Sequence, residues 1–216
     1  MKKFVFFSDF DNTISKKDFY QIVIDKYMKE YGDRLFTQWK KGEMKDIDFL
    51  NAIFNKMGLS EEQIIKDINE IPIDVSAIKL INLVQQHGGD FVILSAGTSY
   101  YIEKIIKSYN INGVRVISNT GTYKDGGIYI TPEKNSPYYS DIYGIDKCKV
   151  VLDIKKLYEK SYYAGDSKPD LMAAMNVNVA FAKSELQELM KNEGGKFIPF
   201  SNFDEIITYL TNKGVF

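Results

Sequence analysis

Short apolar runs bounded by turn residues recur along the chain: Phe4 to Phe7, Phe91 to Leu94, Val114 to Ile117, Tyr162 to Ala164 and Val177 to Phe181. Each has the length of a strand buried on both faces. Between most of them lie apolar residues at helical spacing. Val75, Ile78, Ile81 and Val84 form one stripe, stopped by Gly88; Val150, Val151, Ile154, Leu157 and Tyr158 form another. Strands alternating with helices predict an α/β fold, with an open, mostly parallel sheet wrapped by helices.

One stretch breaks the alternation. From Asp18 to Ile71 the pattern is helical throughout: Phe19, Ile22, Val23 and Tyr27 share a face, as do Phe49, Ile53 and Phe54, and then Ile64, Ile65 and Ile68. Ser60 with Gln63 reads as a capping box, and Pro72 closes the segment. The expected organisation is a core of residues 1–14 and 73–216, with a helical insert over 15–72. Tyr123 to Tyr129, carrying Asp125-Gly126-Gly127, predicts a β-hairpin with a tight glycine turn.

Composition adds bounds rather than direction. The chain has 216 residues, 44% hydrophobic and 26% charged, with a net charge of -1. At that length roughly 70% of the unfolded surface can be buried without staples. No basic field invites nucleic acid or an anionic membrane. Cys148 has no partner for a disulfide, and His87 is the sole histidine, which argues against a zinc site. The apolar run after Met1-Lys2-Lys3 is too short for a signal peptide, and no run reaches the ~18 residues of a membrane span. These features lead to the expectation of a cytoplasmic protein.

In open parallel sheets, ligands bind where strands end at their carboxyl termini. Asp9 and Asp11 follow the first apolar run directly. Two carboxylates at a buried strand tip are costly unless a cation such as Mg²⁺ compensates them; a polar turn with a helix cap is the plainer reading. Ser95 follows Phe91 to Leu94, and Ala96-Gly97-Thr98 leads into a helix. That is either an anion site or a turn capped by Thr98. Lys149 lies in the first turn of a helix capped by Asp146, where a cation opposes the dipole. It is placed for phosphate or simply solvated, and Lys147 shares the same peculiarity. Gly165-Asp166-Ser167-Lys168-Pro169-Asp170 follows Tyr162 to Ala164. Asp170 suits the first turn of a helix opened by Pro169, whereas Asp166 at the strand tip has no such structural role. Acids for a metal, a hydroxyl and a lysine, in this order on these strand ends, make a toolkit for phosphoryl transfer.

With these motifs the sequence resembles the haloacid dehalogenase-like superfamily of phosphatases over essentially its whole length. The D-x-D-x-T motif is Asp9-Phe10-Asp11-Asn12-Thr13; Ser95, Lys149 and the pair Asp166 and Asp170 stand for the other three motifs. The resemblance implies a Rossmann-like sheet and a small all-helical cap after the first strand, as in the phosphoserine phosphatase-like branch. It implies Asp9 as nucleophile through an aspartyl-phosphate and Asp11 as acid and then base. Mg²⁺ would be held by Asp9, Asp166 and the Asp11 carbonyl. Ser95 and Lys149 would hold the phosphoryl oxygens, with Lys147 as the alternative lysine. Asp170 would support the metal or orient the lysine. The expected ligand is a small-molecule phosphate monoester.

Within that branch, phosphoserine phosphatases carry a glutamate where this chain has Asp18, and an arginine for the substrate carboxylate. Here the arginines are Arg34 and Arg115 alone. The methionine-salvage phosphatase acting on 2-hydroxy-3-keto-5-methylthiopentenyl-1-phosphate has an aspartate at the position of Asp18 and the Gly165-Asp166-Ser167 pattern. Its cysteine-rich segment is here Tyr138 to Gly144, with only Cys148 nearby. Asp18 is thus a candidate substrate contact, and the salvage substrate a candidate. A phosphoserine phosphatase, a phosphotransferase of the same fold and a non-catalytic phosphate-binding regulator are the alternatives. Trp39 reads as part of the insert's core, and Tyr138, Tyr139 and Tyr143 as loop residues that pack on the surface or meet substrate.

Overall fold

The computed structural model describes residues 2–216. In chain order the strands are β1 (Lys2–Ser8), β2 (Gly89–Thr98), β3 (Val114–Lys124), β4 (Gly127–Thr131), β5 (Tyr139–Ser140), β6 (Gly144–Ile145), β7 (Tyr158–Gly165), β8 (Val179–Ala182) and β9 (Ile198–Pro199). The helices are α1 (Phe19–Tyr27), α2 (Lys29–Lys40), α3 (Asp46–Phe54), α4 (Glu61–Asn69), α5 (Val75–Gln86), α6 (Ser99–Ser108), α7 (Lys147–Ile154), α8 (Leu171–Ala174), α9 (Ser184–Asn192) and α10 (Phe203–Asn212).

A seven-stranded sheet runs β4-β3-β2-β1-β7-β8-β9, parallel except for the edge strand β4. The chain winds outward from β1 through β2 and β3, then returns to lay β7 on the other flank of β1. That reversal opens a crevice beyond the carboxyl end of β1. Alternation along the strands fills both faces. Phe4 and Phe6 point into one buried cluster with Phe91, Tyr162 and Phe181, while Val5 and Phe7 point into another with Leu94, Tyr163 and Val151. Phe6 stacks on Phe91 with ring centroids 5.3 Å apart. The five predicted apolar runs all become sheet strands.

Two helical stripes differ from expectation. Val75 is 68% exposed, because α5 buries Ala77, Leu80, Ile81 and Val84 and so turns its face by a residue. α7 stops at Ile154; a 3₁₀ turn follows, Leu157 is 63% exposed, and Tyr158 opens β7. Of the two apolar residues past the helix, Leu157 ends the 3₁₀ turn and Tyr158 begins the next strand. Val177 likewise precedes β8 rather than starting it.

The stretch between β1 and α5 is helical: α1 to α4 form an insert whose neck is an antiparallel bridge between Ser15 and Ile73. Ser60 caps α4 by accepting from the Gln63 N–H. The β3–β4 hairpin turns on Asp125 and Gly126, with φ of 49° and 82°, the left-handed pair a two-residue turn of this hand requires. The hairpin is docked against the insert at backbone level. Asn51 bonds both the N–H and the carbonyl of Ile130, and the Leu59 N–H donates to the Gly126 carbonyl. A Cβ on Gly127 would come within 2.6 Å of the Phe54 carbonyl oxygen, so the close approach needs glycine there. On the opposite flank the attachment is lighter: the Ile47 N–H donates to Ile142, and Lys45 pairs with Asp141 at the surface.

Candidate active site

The tips of β1, β2 and β7 meet under the insert. The Asp9 N–H donates to the Ala164 carbonyl, which ties the end of β1 to β7. Beyond it the chain turns at Asn12, whose φ of 52° lies in the left-handed region that asparagine tolerates. That turn aims the Asn12 amide at Asp166 Oδ2, 2.8 Å away, and brings the Thr13 hydroxyl to its other oxygen. Asp9, Asp166 and Asp170 are buried, with one carboxylate oxygen of each within 4.8 Å of the others.

Asp170 spends its oxygens on the protein. Oδ1 accepts from Lys147 (2.7 Å) and from the Tyr163 hydroxyl (2.6 Å); Oδ2 accepts from the backbone N–H groups of Asp166 and Ser167. Its role here is to brace the turn and the lysine. Lys147 Nζ also donates to Asp9 Oδ1. The buried lysine is held well above its ordinary pKa: burial pulls it down, but Asp170 and Asp9 outweigh that.

This lysine is not the one the motif order first suggested. Lys149 is exposed, donating its N–H to the capping Asp146 and its ammonium to the Tyr139 carbonyl. Residues two apart on a helix point to nearly opposite sides. The Asp146 cap sets α7 so that Lys147 faces the site and Lys149 faces water. Of the two lysines expected from the sequence, the structure brings Lys147 to the acids and leaves Lys149 at the surface.

Asp11 stands apart from the acid cluster. Its Oδ2 accepts from the Tyr101 hydroxyl (2.6 Å) and the Ser95 hydroxyl (3.1 Å). A Cβ on Gly97 would fall 1.9 Å from the Tyr101 oxygen and 2.8 Å from the Asp11 carboxylate, so this glycine makes room for both. Burial raises the Asp11 pKa above the usual carboxylate range, against the two hydroxyl bonds. Burial likewise pushes Asp9 well up, opposed by Lys147 and reinforced by Asp170 and Asp166. Asp166 is pushed to about 6 by burial and then by Asp170. Asp18, at the first turn of the insert, rises to about 7 for the same first reason, with Asp11 and Asp166 adding to it.

The residues present suit a hard divalent cation. Three buried carboxylates, Asp9, Asp166 and Asp170, cluster around one buried ammonium that bonds Asp9 and Asp170, and Asp166 is met, among the described residues, only by the neutral donors Asn12 and Thr13. Burial first, and for Asp9 and Asp166 also the neighbouring acids, raises the carboxyls of Asp9, Asp11 and Asp166, and oxygen-only donors match Mg²⁺.

Above the acids lies a cavity of about 100 Å³, roofed by Phe19, Tyr20, Trp39, Phe49 and Phe54 of the insert. Trp39 stacks on Phe49 (4.6 Å, 3° between planes), so it belongs to the insert's core and also lines the cavity. Asp18 lines it too. Arg34 does not: it is exposed, over the Tyr31 ring. Asn119, with no role read from sequence, ties the Ala96 and Tyr143 carbonyls together behind the site. Tyr143 lines an adjoining cleft, whereas Tyr138 and Tyr139 bond surface acids, Asp153 and Asp141. Sequence reasoning missed Tyr101 and Tyr163. A hydroxyl in each of these buried segments was the available signal.

Comparisons with known proteins agree with this architecture. The chain is 23% identical over 212 residues to a 2-hydroxy-3-keto-5-methylthiopentenyl-1-phosphate phosphatase of Brevibacillus brevis, covering 97% of this chain and 96% of that one. It is 25% identical to Pdp3-interacting factor 1 of Schizosaccharomyces pombe, covering 94% and 91%. Its fold matches that of phosphoserine phosphatase from T. onnurineus with a TM-score of 0.69 at 16% identity, over 98% of this chain and 96% of that one. The model of the Putative Phosphatase family matches residues 4–184. The chain belongs to that family, as a phosphatase of haloacid dehalogenase-like, phosphoserine phosphatase-like type.

Proposed function

We propose that this phosphatase hydrolyses small phosphate monoesters in two steps, with Asp9 as nucleophile. The observation that carries the reading is the ion pair of Lys147 with Asp9 and Asp170, beside Asp166 and facing Asp11 across the mouth of β1. Asp9 Oδ bonds to phosphorus as the ester P–O bond breaks, and the leaving oxygen takes the proton of the Asp11 carboxyl. Water then attacks the aspartyl-phosphate, Asp11 recovers a proton from it, and inorganic phosphate leaves with Asp9 restored. Burial favours the protonated form of Asp11 that the first step requires. Lys147 and the Ser95 hydroxyl steady the phosphoryl oxygens. Asp170 and Tyr163 hold Lys147 in place.

Mg²⁺ would be held by the side chains of Asp9 and Asp166 and by the Asp11 carbonyl, and when bound it supplies neutralisation of the phosphoryl charge. The insert, residues 15–72, acts as a cap that keeps bulk water from the intermediate. For substrate, we favour an uncharged alcohol of the kind named for the Brevibacillus relative, because no arginine reaches the cavity to meet a phosphoserine carboxylate.

The test is phosphate release from a panel of monoesters, with and without magnesium, alongside Asp9→Asn. Magnesium-dependent release that falls at least about 10⁴-fold in the variant is expected. Wild-type rates in Asp9→Asn would remove the nucleophile from the scheme.

A further inference from the structure

Two hydroxyls, those of Tyr101 and Ser95, are the only side-chain donors to Asp11 among the described residues. Both reach the same oxygen, Oδ2, at 2.6 Å and 3.1 Å. In a protonated carboxyl the carbonyl oxygen is the better acceptor, so the oxygen that takes two donors is the one without the proton. The proton then sits on Oδ1. Asp11 is half-buried and lines the cavity over the acids, where a leaving oxygen would take that proton.

The two donors are not equivalent. A serine has one hydroxyl hydrogen to give. When an ester binds and Ser95 turns that hydrogen to a phosphoryl oxygen, Asp11 loses it. Tyr101 cannot make the same exchange. It stands in the first turn of α6, which Thr98 caps at the end of β2. Its ring is 2% exposed and packs against Phe10, Phe19 and Phe54, with centroids 6.2, 5.4 and 6.4 Å away. The phenol oxygen is therefore fixed by the core, not by the ligand. Gly97 leaves the space for it, since a Cβ there would fall 1.9 Å from that oxygen. A phenol keeps its proton near neutrality and so donates.

We propose that Tyr101 is a positioning residue for proton transfer, holding Asp11 by Oδ2 after Ser95 has turned to the phosphoryl group, so that Oδ1 stays aimed at the leaving oxygen. This rests on the acid role of Asp11 proposed above and adds what keeps that acid in place. As Asp9 bonds to phosphorus, the electron pair of the breaking P–O bond goes to the leaving oxygen, which takes the Oδ1 proton. Tyr101 keeps its own proton throughout. Its bond to Asp11 becomes charge-assisted as the carboxylate forms, so it is stronger in the transition state than before it.

4-Nitrobenzyl phosphate and 4-nitrophenyl phosphate test the assignment, because they are nearly equal in size and differ in their need for the acid. The benzyl alkoxide must be protonated to leave; the nitrophenoxide spreads its charge over the ring and leaves without a proton. The measurement is kcat/KM for each with magnesium, which reports the steps up to release of the alcohol. Tyr101→Phe keeps the packed ring and removes the hydroxyl. It should lower kcat/KM for the benzyl ester about 30-fold, a part of what a positioned acid supplies, and for the nitrophenyl ester no more than about threefold. Tyr163→Phe removes a buried hydroxyl from Asp170 instead. It acts through Lys147 on the phosphoryl group and should lower both esters by the same factor. Equal losses for the two esters in Tyr101→Phe would overturn the proposal, since a loosened fold lowers both alike. Failure of the wild-type protein to release phosphate from either ester would count against the phosphatase reading instead. A crystal structure with magnesium and tungstate then reads the positioning without turnover. Tyr101 is expected to remain on Asp11 Oδ2 while Ser95 turns to the tungstate, and an Asp11 carboxyl swung away from Tyr101 would overturn the proposal.

Discussion

The floor and the roof of the site are built on different principles. The floor is polar and tightly bonded. Its acids sit on strand tips, Asp170 alone accepts from four donors, and no buried side-chain nitrogen or oxygen among the described residues lacks a partner. The roof is a packed set of rings, Phe19, Tyr20, Phe36, Trp39, Phe49 and Phe54, on helices that meet the core through a hairpin on one flank and a light latch on the other. Bonded polar geometry holds charge in place for chemistry. Apolar packing tolerates exchange of one ring for another, so it is where substrate preference can vary.

The contrast can be broken first at the floor. Lys147→Met should lower kcat/KM by about 10² to 10³, the cost of losing a fixed charge at the developing phosphoryl charge. Lys149→Met should stay within about twofold, as a surface change. Equal effects would mean that α7 presents a different face in solution. Melting measured in parallel separates this from a loss of fold, because the variant leaves Asp9 and Asp170 without their cation.

The roof has one polar brace of its own. Asp67, buried between α1 and α4, accepts from Lys26 (2.8 Å), Tyr27 (2.6 Å) and Gln63 (3.2 Å). Burial raises its pKa, but the Lys26 and Tyr27 bonds outweigh burial, and it ends below the usual range. A depressed carboxylate stabilises the fold above its unfolded pKa of about 3.9 and stops doing so as pH falls through its folded value. Asp67→Leu should cost about 1–2 kcal/mol near neutrality, because the exposed Lys26 keeps Glu70 while Tyr27 and Gln63 lose their acceptor. Thermal melts should show the gap to wild type closing at pH values below about 3.9. A constant gap would assign the effect to packing.

The two attachments of the insert close the series. Gly127→Ala should cost about 1–3 kcal/mol, because its Cβ meets backbone carbonyls that cannot swing aside. Lys45→Ala, which removes only an exposed ion pair, should cost less than about 1 kcal/mol. Denaturant midpoints read both, and the reverse order would show the latch, not the hairpin, to be the firmer joint.

Much of the floor was legible in the chain because strand tips are local features. An apolar run that ends in Asp9 or Asp166 already says where the carboxylate lies, since a strand carries it to a known edge of the sheet. Lys147 and Lys149 show the limit. Both stand in one helical turn, and only the setting of α7 against β7 and the acids decides which faces inward. Tyr101 and Tyr163 escaped notice because their rings read as core, and the partner that uses each hydroxyl is distant in sequence or hidden in the next turn.

The sequence by itself determined the α/β alternation, the helical stretch after β1, the hairpin at Asp125-Gly126, and the order of acids, hydroxyl and lysines along the chain. These rest on periodicity and on residues that act within a few positions of themselves. Only the tertiary structure decided which lysine meets Asp9, that Asp170 is spent on bracing rather than left free, and that Trp39 lines the cavity. Each of those depends on the angle at which one element packs on another, and no local preference encodes that angle.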